Sequence, residues 1–309
     1  MVDKVRDLKE VVSEIPAEGA EIALGGFAIT RCPIAFACEL IRQNKREMSL
    51  YEIIGSMDAD MLVGAGAVKS LSYGGGSLDR FGRLGRINEA IENGTIDVKE
   101  YSGLGLTLRF TAGSMGIPFI PTKAMLGTEI IQNLLKAEPA VKVGQSPFDG
   151  ESYVFLGALQ PEYSVIHCQY ADKKGNVVTE GPVWDLDLAK AGRKLIVTVE
   201  KIVSTEYIKR FPEKVIIPGV YTYAVVEAPY GAYPTSVYKC YDYDARALKL
   251  YAGVNTNQHD FDEYLSKYVL GTKDHNEFIE QMGGIARLNS ITADPVFGYA
   301  MGGKNDGSD

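Results

Sequence analysis

Short apolar runs rich in Val, Ile and Leu alternate along this chain with stretches of helical periodicity. The runs Ile22–Leu24, Met48–Ile54, Val68–Tyr73, Ile96–Glu100, Ser164–Gln169, Leu195–Val199 and Ala224–Glu227 have the length and β-branched content of strands. Between them, Ile34–Gln43, Asp58–Ala65, Arg80–Asn93, Leu104–Met115, Leu186–Ala191 and Thr205–Lys209 read as helices. Strand and helix in alternation predict an α/β fold: an open, mainly parallel sheet with helices on both faces. Asp260–Tyr268 and Asp274–Met282 add a C-terminal helical segment. Asn93-Gly94 suits a left-handed helix cap, and Gly175-Asn176 turns a hairpin. Residues 137–152, with Pro139, Gly144, Pro147 and Gly150, suggest a surface excursion between two lobes. Residues 1–300 read as a single domain and 301–309 as a flexible tail.

Composition narrows the function classes. The chain has 309 residues, 46% hydrophobic and 23% charged, which is the profile of a globular protein able to bury a large core. The formal net charge is −8 and the 32 basic residues are scattered, so no cationic stripe for nucleic acid or for an anionic membrane is predicted. No apolar run reaches the ~18 residues of a membrane helix, and the first residues lack a signal-peptide core. A cytoplasmic protein is expected. The four cysteines and three histidines form no ligand spacing, so no zinc or iron–sulfur site is expected; no permanently bound cofactor is expected either. Cys32 reads as a small buried side chain beside Pro33, and His167 as a packed, hydrogen-bonded strand residue.

Chemistry is to be sought in the loops that follow strands, because ligands of open parallel sheets sit at the carboxyl ends of the strands. The first such loop is Gly25-Gly26-Phe27, running to Arg31-Cys32-Pro33. Two glycines permit close approach of a ligand to the main chain, the helix start leaves N–H groups to point into the loop, and Phe27 offers an apolar face for an acyl group. Gly26→Val is expected to abolish activity while leaving folding nearly intact. A second loop, Ser72-Tyr73-Gly74-Gly75-Gly76-Ser77, has three glycines and a serine placed to cap the next helix. A third, Glu100-Tyr101-Ser102-Gly103, precedes the helix that carries Arg109.

Gly25-Gly26-Phe27 with a proline six residues after Phe27 resembles the N-terminal signature of family I coenzyme A transferases. Pro118-Phe119-Ile120-Pro121 with Leu126-Gly127-Thr128, Ala171-Asp172-Lys173-Lys174-Gly175-Asn176, and Ile217-Pro218-Gly219 with Ala228-Pro229-Tyr230-Gly231-Ala232-Tyr233-Pro234 recur in that order in the glutaconate CoA-transferase α-subunit group. The resemblance spans about residues 4 to 299. It implies an α-subunit that works with a β-subunit, the β-subunit supplying the glutamate on which the CoA thioester forms, so that no covalent nucleophile is assigned to this chain. Coenzyme A thioester is then a substrate, and CoA moves between a small acid such as acetate and a larger or dicarboxylic acid. Implied contacts to substrate and CoA are Gly25, Gly26, Phe27, Arg31, Gly75, Gly76, Ser77, Ser102, Gly103, Gly127 and Thr128.

Gly103 stands where the transferases usually have glutamine and the related steroid ring-opening hydrolases a glutamate, which leaves carbonyl polarisation to backbone N–H groups, Ser102 or the partner chain. Arg31, an arginine also in the glutaconate-like subgroup, either binds a carboxylate or CoA phosphate or makes a structural salt bridge. Arg109 has the same two readings, as a substrate clamp or an interface ion pair. Glu100, Glu129 and Glu180 read as solvated acids. The tyrosine-rich segments Tyr221-Thr222-Tyr223 and Tyr230 to Tyr241 are expected to contact the partner subunit. The alternatives are the α-subunit of a CoA-thioester ring-opening hydrolase, against which Gly103 argues, and a noncatalytic acyl-CoA-binding subunit.

Overall fold

The structure, a computed structural model, describes residues 3–300. In chain order the strands are β1 (Glu21–Leu24), β2 (Met48–Glu52), β3 (Val68–Tyr73), β4 (Asp97–Glu100), β5 (Phe119–Thr122), β6 (Val141–Gln145), β7 (Ser152–Gly157), β8 (Tyr163–Asp172), β9 (Val177–Val178), β10 (Lys194–Val203), β11 (Val215–Ile217) and β12 (Thr222–Glu227). The first six helices are α1 (Leu8–Ser13), α2 (Ile34–Arg42), α3 (Met57–Gly64), α4 (Gly85–Glu92), α5 (Gly103–Met115) and α6 (Glu129–Ala137). After them come α7 (Leu186–Ala191), α8 (Thr205–Arg210), α9 (Ala245–Val254), α10 (Gln258–Tyr264), α11 (His275–Gln281) and α12 (Gly284–Ile291). Among the described residues no helix is long and apolar enough to cross a membrane.

The strands read from the sequence form one parallel array in the order β12-β10-β8-β1-β2-β3-β4. β9 and β11 extend it antiparallel, and the Gly175 turn joins β8 to β9 as a hairpin. Alternation along β1 sends Ile22 and Leu24 to one face, where they pack with Phe36 and Leu40 of α2 and Met61 and Leu62 of α3. Ala23 faces the other side, in a cluster with Phe110 of α5 and Leu188 of α7. Helices therefore cover both faces, and β8 is buried along nearly its whole length, as a central parallel strand must be. A third cluster joins Tyr233 and Tyr241 to Phe278 of α11 and Ile291 of α12.

Two regions differ from the sequence reading. Residues 137–152 carry β6 and lead into β7, which with β5 makes a small antiparallel sheet in the order β5-β7-β6. The stretch expected as one helix over Arg80–Asn93 begins as a short 3-10 turn at Asp79–Phe81, and α4 starts at Gly85. Gly82 has φ +153°, and Gly85 lies directly against the Asn255 carbonyl, so the chain must turn here before it can coil. The segment 301–309, expected as a tail, lies outside the described residues.

Candidate functional site

The ends of β1 and β2 lie side by side and meet the first residues of β8, Leu24 pairing with Glu52 on one flank and Val165 on the other, and the Gly25-Gly26-Phe27 loop emerges there. Its amides do not project toward a ligand as expected. Gly25 N–H donates to the Val165 carbonyl (2.8 Å), Gly26 N–H to Asp185 Oδ2 (3.0 Å), and Phe27 N–H to the Thr30 carbonyl (2.9 Å). At the start of α2, Ala35 N–H is taken by the Gly231 carbonyl (2.9 Å). Buried amides must find acceptors, and here the acceptors come largely from segments remote in sequence. Both glycines are buried. A Cβ on Gly25 would lie 2.5 Å from Asp185 Oδ2, and one on Gly26, at φ +100°, 3.0 Å from the Cys32 backbone. Phe27 is 36% exposed and stacks on Trp184, itself 55% exposed, with ring centroids 5.3 Å apart.

Arg31, read from the sequence as either a carboxylate or phosphate binder or a structural salt bridge, turns inward, and its side chain is 2% exposed. Its guanidinium donates to Asp185 Oδ1 (2.8 Å) and to the carbonyls of His167 (3.0 Å) and Pro182 (3.4 Å). Burial works against its charge, and the Asp185 carboxylate more than restores it, holding the group charged above its ordinary range. Ala28 (φ 49°) and Arg31 (φ 56°) both sit in the left-handed region, a strained path that the Arg31–Asp185 pair secures.

The remaining loops meet at the ends of β2, β3 and β4. Gly55 N–H donates to the Gly75 carbonyl (2.9 Å) and Ser77 N–H to the Gly55 carbonyl (3.2 Å). Gly74 touches Gly103 so closely that a Cβ on Gly74 would fall 2.6 Å from Gly103 Cα. Ser102 caps α5 by accepting from Gly105 N–H (3.0 Å), while its own amide faces Met125 Sδ at 3.4 Å and so draws in the Gly127-Thr128 turn. Ser77 accepts from Asp79 N–H (3.0 Å) in the short turn, not at the start of a longer helix. Thr128 Oγ1 donates to the Met125 carbonyl (2.7 Å) and accepts from Ile131 N–H (3.5 Å), so it serves α6 as a cap. Gly75 (φ +112°) and Gly127 (φ +74°) face open space, and Gly76 is exposed.

Behind the glycine loop lies a set of groups that sequence reading missed. Glu52 and Asp58 are 2% and 0% exposed, and Glu52 Oε2, both Asp58 oxygens and Ser56 Oγ lack hydrogen-bond partners among the described residues. Burial, and then the neighbouring Asp58, push the Glu52 carboxyl well up, and burial pushes Asp58 up to about 6. Burial thus biases both carboxyls toward their protonated forms. Asp60, two residues on and equally buried, is by contrast satisfied by Ile87 N–H (2.9 Å), Tyr251 Oη (2.8 Å) and Asn255 Nδ2 (3.0 Å). Burial also raises the thiols, Cys32 well up, Cys38 to about 11, Cys168 and Cys240 to about 12, so each is a neutral packing group.

Other candidates resolve into structural roles. His167 is fully buried, its Nδ1 against Thr198 Oγ1 (2.9 Å) and its Nε2 against Glu200 Oε1 (2.7 Å). Glu200 also accepts from Tyr241 Oη (2.7 Å) and Tyr230 N–H (2.8 Å). Arg109 lies inside, bonded to the Gly157 carbonyl (3.0 Å), Tyr101 Oη (2.5 Å) and Glu138 (3.3 Å). Glu180, expected as a solvated acid, pairs with Lys239 (2.6 Å) and Lys214 (3.3 Å). Tyr221 and Tyr223 are exposed, but Tyr233 and Tyr241 are core residues at 1% exposure and cannot serve a partner, because α11 and α12 close over them. The Asp172–Asn176 motif is a turn lock: Asp172 Oδ1 accepts from Lys174 and Asn176 N–H, and Asn176 Oδ1 accepts from Gly219 N–H (2.9 Å) of the next motif.

A family model for coenzyme A transferase matches residues 5–228. A glutaconate CoA-transferase chain of Acidaminococcus fermentans is 34% identical over 96% of this chain and 97% of its own length. A crystal structure of glutaconate coenzyme A-transferase from that organism superposes with a TM-score of 0.91 at 33% identity, covering 97% of this chain and 98% of the other. A 3-oxoadipate CoA-transferase chain of Pseudomonas knackmussii is 31% identical over 88% of this chain and 95% of its own length. The IpdA subunit of the cholesterol ring-cleaving hydrolase of Mycobacterium tuberculosis is 26% identical over 92% and 99%.

Proposed function

This chain belongs to the coenzyme A transferase family, of the glutaconate CoA-transferase α-subunit type, and we propose that it is the α-subunit of a heteromeric enzyme exchanging CoA between acetate or another small acid and a larger or dicarboxylic acid. The partner β-subunit supplies a glutamate. Its carboxylate attacks the acyl-CoA carbonyl, forming a mixed anhydride and releasing the CoA thiolate. The thiolate then attacks the glutamyl carbonyl, freeing the first acid and leaving a glutamyl-CoA thioester, and a second acid runs the two steps in reverse. No proton, oxidant or ATP is consumed.

The observation that carries this reading is the loop at the end of the central strand β1, braced by the buried Arg31–Asp185 pair while Phe27 stays exposed beside it. Such bracing fixes where an acyl group can lie, which is what positions the thioester carbonyl for attack. Ser77 and Ser102 each accept one backbone N–H and keep a hydroxyl hydrogen to donate to a developing oxyanion. The protein works in the cytoplasm, where acyl-CoA and acetate are both at hand.

The test is exchange by the complex co-expressed with its β-subunit. A panel of acyl-CoA thioesters is incubated with and without acetate, and CoA products are identified by mass spectrometry. Acetyl-CoA formed only with acetate is expected. Free CoA or a ring-opened product without acetate would assign the hydrolase reaction instead, and binding without any product would assign a noncatalytic role.

A further inference from the structure

The stretch from Glu180 to Asp185 has neither helix nor strand, yet it is pinned at both ends. At one end the Glu180 carbonyl accepts from Gln169 Nε2 (3.0 Å) and the Glu180 carboxylate pairs with Lys239 (2.6 Å). At the other, Asp185 takes the Gly26 amide and Arg31, and Arg31 also reaches the Pro182 carbonyl (3.4 Å). Between them Gly181, at φ +89°, lies so close to Tyr238 that a Cβ there would fall 2.9 Å from Tyr238 Cγ, so only glycine lets the strap rest on that ring.

What the strap presents to the loop after β1 is a face without charge. Gly181-Pro182-Val183-Trp184 and, opposite, Gly25-Gly26-Phe27-Ala28-Ile29-Thr30 have no ionisable side chain, and the two charges that bound them, Arg31 and Asp185, neutralise each other at 2.8 Å. The Phe27 and Trp184 rings stack with 27° between their planes but stay 36% and 55% exposed, so their contact leaves much of both rings open. Large rings held in water by a backbone already fixed lose little freedom on meeting an apolar ligand. The same two segments, through Ile29, Thr30 and Pro182, border a cavity of about 510 Å³, which gives room to a chain that passes beyond the rings.

We propose that the Phe27–Trp184 stack is the shelf on which the hydrocarbon part of the acyl group lies, and that Trp184 sets the preference of the enzyme for acyl chain length. The inference rests on the transferase reading and gives its larger acid an extended methylene chain. Trp184 is then a substrate-contacting residue, held in place by the Arg31–Asp185 pair one residue away.

The experiment measures kcat/KM for acetate-dependent exchange by the co-expressed complex with propionyl-CoA, butyryl-CoA and hexanoyl-CoA. Burial against the shelf should raise it about threefold for each added methylene, or about 30-fold over the series. In Trp184→Ala that span should shrink to about fivefold or less, while Trp184→Phe keeps most of it, because the contact needs a ring and not the indole N–H. A stack that served the CoA arm or the partner subunit would lower all three thioesters alike and leave the span intact. An intact span in Trp184→Ala, or a wild-type enzyme without one, would overturn the proposal. Absence of exchange with every thioester would count against the transferase reading. In that event, or if Trp184→Ala fails to assemble, the shelf is judged by binding. Hexanoyl-CoA and free CoA are titrated against Trp184, the sole tryptophan of this chain, read as the fluorescence difference between wild-type and Trp184→Phe complexes. Tighter hexanoyl-CoA binding would uphold the shelf, and equal or absent binding would refute it.

Discussion

The two sides of the site are secured in opposite ways. The loop after β1 is held by one buried carboxylate from 159 residues away, which takes the Gly26 amide with one oxygen and Arg31 with the other. The loops after β3 and β4 are held by short-range caps, Ser77 to Asp79 and Ser102 to Gly105, reinforced by Gly74 against Gly103. A long-range ionic anchor concentrates stability and geometry in a few groups, while local caps spread them. Substitutions should therefore be severe on the first side and mild on the second.

The largest effect is expected for Asp185→Ala. It leaves Arg31 charged, unpaired and 2% exposed and strips the Gly26 amide of its acceptor, a loss of about 3–5 kcal/mol in urea unfolding together with loss of exchange activity. Asp185→Asn keeps an acceptor and should lose less; equal losses would show that the charge plays no part. Next comes Gly26→Val. The sequence alone suggests a folded but inactive protein, but φ +100° and a backbone 3.0 Å away make this substitution costly to folding as well, by about 2–4 kcal/mol. An unchanged unfolding midpoint would contradict that assignment.

A smaller effect, of opposite sign, is expected behind the loop. Asp58, with its carboxyl pushed up to about 6 by burial, keeps a proton in the folded state that the unfolded chain releases near pH ~4. Its favourable contribution is thus complete below pH ~4 and is lost as the pH rises through ~6. Asp58→Asn mimics the protonated group and should stabilise the protein by about 1–2 kcal/mol at about pH 7 while matching wild type at about pH 4. The same shift at both pH values would rule out this origin. The smallest effect belongs to the locally capped side, where Ser102→Ala should cost about 1 kcal/mol by differential scanning calorimetry and lower turnover through the lost hydroxyl. A loss as large as that of Asp185→Ala would erase the distinction between the two sides.

The parallel strands were legible because the central ones are β-branched runs buried on both faces, and the hydroxyl caps because they act within three residues. The small sheet was not, since β6 carries Lys142, Gly144 and Gln145 and buries little beyond Val141. Arg31 shows the limit most clearly. Its position at the loop was plain, but its direction was set by Asp185, 154 residues later, and no local pattern reports such a pairing. One signal could have been used: a lone tryptophan after Gly181-Pro182, followed at once by an aspartate, in a stretch with no helix or strand of its own. The motifs that carried the family resemblance proved largely to be locks of the fold, as Asn176 on Gly219 illustrates.

The central claim is that this chain positions the thioester and its partner carries the covalent step. The most direct measurement incubates the complex with acyl-CoA in the absence of acceptor, quenches it under denaturing conditions and locates the CoA adduct by intact-chain and peptide mass spectrometry. The account predicts a CoA thioester on a glutamate of the partner chain and an unmodified 309-residue chain. An adduct on this chain, or exchange without an adduct on either, would contradict it.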